Sequence, residues 1–261
     1  MPELYHWEPN IFYLKPMVAL AEKGVDYHSH YFDPTNFEQF GAAFPHDVES
    51  QLQLEREGPL LLHDGAIIAS SFFMLEYIAE TFPGPSLLPT DAYDRYRMHA
   101  WGQVIALSVA SAVTTLGCAR YLAPALRTRA AEPLRSQIAA IEPLERRQAW
   151  EAVAYGSDDQ GAVSSARRRL APLLTRIEAA LATSPWLAGA EYSIADIDAF
   201  AMLAALPSLE PDIVSRGATP QLMAFLERMR ERPAVRAALA QSRTGRPAEA
   251  FVPGPEAPRW G

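Results

Sequence analysis

Tyr5, His6, Asn10 and Tyr13 bring two phenols, an imidazole and a carboxamide into the first thirteen residues, all able to hydrogen-bond a reacting atom. Further on, Ser70 and Ser71 precede Phe73, Met74, Tyr77 and Ile78, which recur at helical spacing. A Ser there can cap the helix, and the first amides, aided by the helix dipole, favour an anion. Gly58-Pro59 forms a turn just ahead of Asp64-Gly65, a strong hairpin signal. The single cysteine, Cys118, can form neither an internal disulfide nor a CxxC pair, and its apolar surroundings from 110 to 122 make it a buried, inert thiol. His28 and His30 are spaced to share a zinc ion on a strand, but a solvated or core-edge strand explains them, and no metal is expected.

The elements that must position these groups fall into two sets. Residues 3–7 read as a strand and 15–23 as a helix closed by Gly24. Residues 25–32 form a second strand, and 59–63 and 66–69 a hairpin. A helix from Ser70 or Ser71 then runs to the Pro83-Gly84-Pro85 breaker, so residues 1–84 read as βαβ-ββα. After a linker, residues 92–243 form an all-helical domain, with helices expected at 93–122, 132–150, 161–182, 194–206, 221–231 and 234–240. Ser193 and Asp196 have capping-box spacing, and Tyr192 and Ile197 can add a hydrophobic staple. The Pro- and Gly-rich tail, 244–261, is expected to lie loosely on the surface.

Composition narrows the partners. The chain has 261 residues, 49% of them hydrophobic, a net charge of -8 and a pI near 5.3, which argue against nucleic acid and against an anionic membrane. Arg167 to Arg169 sit in an alternating charged stretch and read as a solvated helix face. The N-terminus lacks a signal-like apolar run and no uninterrupted apolar stretch of about 18 residues is evident, so a cytoplasmic protein is expected.

The order thioredoxin-like βαβ-ββα domain, linker, all-α domain resembles the glutathione S-transferase fold, and three motifs carry that resemblance. They are Glu57-Gly-Pro-Leu-Leu-Leu-His-Asp-Gly65 with Ser70-Ser-Phe-Phe-Met-Leu-Glu-Tyr-Ile78, Leu87-Leu-Pro89, and Trp186-Leu-Ala-Gly-x-x-Tyr192-Ser-Ile-Ala-Asp196. Within the family, Leu14-Lys-Pro-Met-Val-Ala-Leu-Ala-Glu-Lys-Gly24, Phe32-Asp-Pro-Thr-Asn-Phe-Glu-Gln39 and the charged segment 142–169 resemble the bacterial glutathione-dependent β-etherases of lignin dimer cleavage.

The resemblance implies glutathione as co-substrate, a cis peptide before Pro59 whose backbone pairs with the cysteinyl part of glutathione, and Ser71 on the γ-glutamyl carboxylate. Gly58 stands in place of the common Val, and Ser70 in place of the usual Glu. Lys15, Arg56 and Glu57 are implied rim contacts. Where β-etherases carry Asn-Ser before Leu-Lys-Pro, this chain has Phe12-Tyr13, so Tyr13, with Asn10 nearby, is the candidate donor to the sulfur. Trp7, Phe12, Trp101 and Tyr121, joined by Trp150 and the polar Gln103, Ser108 and Thr114, would furnish an aromatic substrate cleft. The implied reaction is thiolate attack on the carbon α to a ketone, releasing a phenol. A transferase acting on other aromatic electrophiles, or a quiet subunit of a heterodimer, stays open; a thioltransferase is disfavoured because residues 10–13 hold no Cys. A homodimer or heterodimer is implied.

Overall fold

The computed structural model describes residues 1–40, 44–45, 58–142, 144–156 and 160–253. The first domain is a four-stranded sheet of β1 (Glu3–His6), β2 (His28–Tyr31), β3 (Leu60–His63) and β4 (Ala66–Ile68), ordered β2-β1-β3-β4. β1 runs parallel to β2, with Leu4 opposite Ser29, and antiparallel to β3, with Leu4 opposite Leu61. The parallel pair requires a crossover, and α1 (Ile11–Lys23) supplies it. Met17, Val18 and Leu20 of α1 are fully buried, and Gly24, at φ 66°, ends the helix in the left-handed conformation expected of it. Asp64 and Gly65 turn β3 into β4 at φ 50° and 80°. α2 (Ser71–Thr81) packs against α1.

The second domain is helical. α3 spans Ala92–Arg127 as one continuous rod that widens into π-helical turns at Ile105–Val109 and Cys118–Leu122. It is long and apolar enough to cross a membrane, which qualifies the expectation of no such stretch, but it serves as a core helix packed against the others. Then follow α4 (Ala131–Ala139), α5 (Leu144–Tyr155), α6 (Gln160–Thr183), α7 (Ile194–Leu203), α8 (Leu206–Leu209), α9 (Pro220–Glu231) and α10 (Pro233–Leu239). The helix expected over 132–150 is thus two, because Pro143 disfavours helical geometry in the residue before it. Arg167, Arg168 and Arg169 are exposed on α6, as a solvated face requires, and Cys118 is buried, which pushes its thiol pKa up.

α7 is buried along its whole length, so its first turn cannot rely on water for its free amides. The capping box supplies them: Ser193 N–H donates to Asp196 Oδ2 at 2.9 Å, and Ala195 N–H donates to Ser193 Oγ at 3.3 Å. Asp196 Oδ1 also accepts from Leu187 N–H at 2.9 Å, closing the preceding loop. Ile194 N–H donates to Leu87 O at 2.9 Å, which fastens the interdomain linker to the same turn. Asp196→Ala is expected to lower unfolding stability by about 2–4 kcal/mol, since two buried amides lose their acceptor. A chemical denaturation curve with an unchanged midpoint would refute this.

Candidate active site

The site is built on the loop between β1 and α1, where Trp7, Glu8, Pro9 and Asn10 are all buried. A buried carboxylate needs donors, and Glu8 has five: Tyr31 Oη at 2.9 Å, Arg243 N at 2.9 Å, Thr244 N at 3.2 Å, Thr244 Oγ1 at 2.9 Å, and Ser242 Oγ. Burial raises its pKa, but the Ser242, Arg243, Tyr31 and Thr244 donors outweigh that, and the net direction is down. Asn10 Nδ2 donates to Ala250 O at 2.9 Å, and Arg146 Nη1 to Pro253 O at 2.7 Å.

The segment 242–253 is therefore a strap drawn across the domain junction, where the composition suggests a loose tail from 244; residues 254–261 of that tail lie outside the described residues. Its apolar triplet explains the difference, since Ala250, Phe251 and Val252 are buried. Phe251 lies against α3, where a Cβ on Gly117 would come within 2.2 Å of its ring, and it stacks on Tyr121 at 6.1 Å and 10°.

Tyr13, in the first turn of α1, is 3% exposed, with its ring edge-on to Trp7 and Phe32. Burial raises its phenol pKa well above the ordinary range, with Arg146 pulling it down and Asp33 adding to the rise. The ring borders the Gly58–Pro59 peptide, which is cis. A Cβ on Gly58 would lie 2.6 Å from Phe32 Cζ and 2.7 Å from Tyr13 Cε1, so the aromatic pair occupies the space a larger residue would need. Tyr13 and Gly58 are matched. Ile11, two residues earlier, has φ 39°, a strained value for a β-branched residue at the entry to the helix.

Ser70 adopts φ 65° and ψ 113°, and its side chain does not cap α2. Ser71 Oγ accepts instead from Lys15 Nζ at 3.1 Å, and Lys15 Nζ lies 2.6 Å from Asp198 Oδ1. Lys15 is 3% exposed, so it is no rim residue: α1 turns it inward, toward the helical domain, where Asp198 balances its charge. The Lys15 ammonium also sits 5.2 Å from the Phe12 ring centroid, and Phe12 is half-buried. Arg56 and Glu57 lie outside the described residues.

Trp7, Tyr13 and Gly58 thus come together, and the strap links Asn10 to Tyr121. Trp101 is not in this group. It faces α6, with the Arg176 guanidinium 5.8 Å from its ring. Trp150 is buried against Phe37 and Thr114 bonds back to Ala110 O, so packing engages both side chains, while Gln103 is exposed on α3. His30 pairs with Glu3 at 2.9 Å and stacks on Tyr5. The sequence reading missed Glu8, Arg146, Asp198 and Phe251. An acid inside the apolar run Ile194 to Leu203, and an apolar triplet inside a Pro-rich tail, were the available signals.

Residues 2–80 match the family described as Glutathione S-transferase, N-terminal domain, and residues 133–233 match Glutathione S-transferase, C-terminal domain, together more than two thirds of the chain. Protein LigF of Sphingobium sp. is 28% identical over 246 residues, 92% of this chain and 94% of LigF. The crystal structure of beta-etherase LigF from Sphingobium sp. strain SYK-6 matches with a TM-score of 0.84 over 92% of this chain and 99% of that one. A probable glutathione S-transferase of Nicotiana tabacum is 47% identical over 74 residues, 26% of this chain and 33% of its own. A glutathione transferase homologue from Sulfitobacter with bound glutathione, 19% identical, shares the fold at a TM-score of 0.64 over 92% of this chain and 98% of that one.

Proposed function

Because the chain belongs to the glutathione S-transferase family, we propose that it is a β-etherase, cleaving β-aryl ether bonds of lignin-derived aromatics with glutathione. The observation that carries this reading is the end-to-end likeness to LigF, 28% identical at a TM-score of 0.84. Glutathione is the co-substrate and supplies the sulfur nucleophile. The chain fits it: the uncapped N-terminus of α2 presents amides and Ser71 to the γ-glutamyl carboxylate, and the cis Gly58–Pro59 turn presents backbone to the cysteinyl part.

Tyr13 donates to the sulfur: a phenol is protonated at neutral pH, and burial moves its pKa further up. Asn10 fixes the loop beside it, while Trp7, Phe12 and Tyr121 face the aromatic substrate. A carbon–sulfur bond forms next to the ketone as the carbon–oxygen bond breaks, and the aryloxide leaves with the electron pair and is protonated by solvent. The chain's task is positioning and stabilising negative charge.

The protein works as a dimer in this reading, through α2 and α3, whose Phe73, Tyr93 and Tyr96 are about two-thirds exposed: 64%, 67% and 64%. A second reading, a subunit that needs a related transferase to act, is favoured by the closed strap, which occupies Asn10. The test is glutathione-dependent release of a fluorescent phenol from an α-keto β-aryl ether, by the chain alone and then mixed with a related transferase. Release by the chain alone supports the etherase; release only in the mixture supports the subunit; release in neither overturns both.

Ser71→Ala is expected to weaken glutathione binding about tenfold, the loss of one hydrogen bond to a charged group. Equal affinities by titration calorimetry would move the γ-glutamyl group elsewhere.

A further inference from the structure

Among the described residues, the contact between Lys15 and Asp198 joins the two domains through two nearly inaccessible charges, 3% and 1% exposed. Such a pair is a poor device for stability, because desolvation of both ions offsets most of their attraction, and apolar residues of similar size often serve as well or better. The desolvation is visible at Asp198: burial pushes its carboxyl pKa up, and Lys15 pulls it down without cancelling the rise. Its Oδ2 has no hydrogen-bond partner among the described residues, so the carboxylate is not placed to hold backbone as Asp196 does. What the pair does hold is the position of the ammonium, whose other oxygen contact is Ser71 Oγ at 3.1 Å, at the first residue of α2.

We propose that Asp198 is a positioning residue of the glutathione site: from the helical domain it fixes the Lys15 ammonium against Ser71, so that the γ-glutamyl carboxylate meets an aligned hydroxyl backed by a positive charge. The inference rests on the reading of the α2 terminus as the γ-glutamyl site. Three elements converge there, α1 with Lys15, α2 with Ser71 and α7 with Asp198, and only the last belongs to the second domain. Lys15 donates to Ser71 Oγ, which leaves the hydroxyl hydrogen free to point outward to an acceptor. The amides of the first turn of α2 and its dipole add to the same attraction. Specificity for a γ-glutamyl group is therefore built partly by the domain that binds the other substrate.

The experiment compares two thiols, glutathione and cysteinylglycine, which lacks the γ-glutamyl group, by titration calorimetry on three proteins. These are the wild type, Asp198→Asn, and the double variant Lys15→Met with Asp198→Leu. The double variant removes both charges at nearly constant volume, so it folds even if the single variant, with its ammonium left unbalanced, does not. The wild type is expected to prefer glutathione, and the double variant to lose at least tenfold of that preference while its Tm stays within a few degrees. Cysteinylglycine binding should change little, which a general loosening of the site would not allow. If the wild type binds both thiols equally, the γ-glutamyl placement itself fails. If the wild type prefers glutathione and the double variant keeps the full preference, that placement stands and the role of Asp198 is refuted.

Discussion

Tyr13→Phe is expected to lower kcat/KM for the proposed ether cleavage by about 100-fold, in line with the loss of one preorganised donor to a developing or resident anion. The substitution keeps the ring that meets Trp7 and Phe32 edge-on and fills the space beside Gly58, so the fold should be unaltered. It removes only the hydroxyl. A free thiol titrates near about 8.5, so without the donor the rate should rise toward more alkaline pH than in the wild type. The pH–rate profile thus separates this role from a packing role. An unchanged profile with unchanged kcat/KM would take Tyr13 out of the mechanism.

Glu8→Ala should have the largest effect on the strap. The variant leaves the Tyr31 hydroxyl, two backbone amides and two side-chain hydroxyls without their acceptor, and the cost is expected to be about 3 kcal/mol or more. Limited proteolysis read by mass spectrometry should cut the variant within 242–253 well before any other segment. The sign of the pH dependence follows from the downward shift of Glu8. Its contribution is complete above the unfolded-state pKa, about 4.3, and is lost as pH falls through the lower folded-state pKa. The wild type should therefore lose strap protection on acidification, whereas Glu8→Ala should be nearly flat in that window. Parallel Tm curves for the two proteins would refute the assignment.

Where local rules decide the outcome, the sequence was a good guide. Gly24, the Asp64-Gly65 turn and the Ser193/Asp196 box each depend on residues within a few positions, and each stands where spacing placed it. The two-domain order is equally legible, because the hydrophobic period changes from strand to helix in the first 84 residues and stays helical afterwards. The site is only half legible. The reading made Tyr13 the candidate donor to the sulfur but did not set it against Gly58, since no local rule ties residue 13 to residue 58. Lys15 was expected as a rim contact, and the partner that draws it inward lies 183 residues away. The strap escaped for the same reason. Pro and Gly set its backbone, while Phe251 and the acceptors on Ala250 and Pro253 decide where it rests.

The strap also bears on when the protein becomes competent. Glu8 and Asn10 are among the first residues made. The group that satisfies Asn10, and all of those that satisfy Glu8 except the Tyr31 hydroxyl, lie on residues 242–250 and are synthesised more than 230 positions after the loop itself. Until then, the loop ahead of Tyr13 holds a carboxylate and an amide that must stay hydrated, so the β1–α1 corner cannot close over its aromatic cluster. A first domain emerging from the ribosome is thus a partner in waiting, competent to fold its sheet but not its site. Ribosome-stalled chains ending before and after the strap, tested for retention on immobilised glutathione, would time that event: retention should require the strap to have left the exit tunnel.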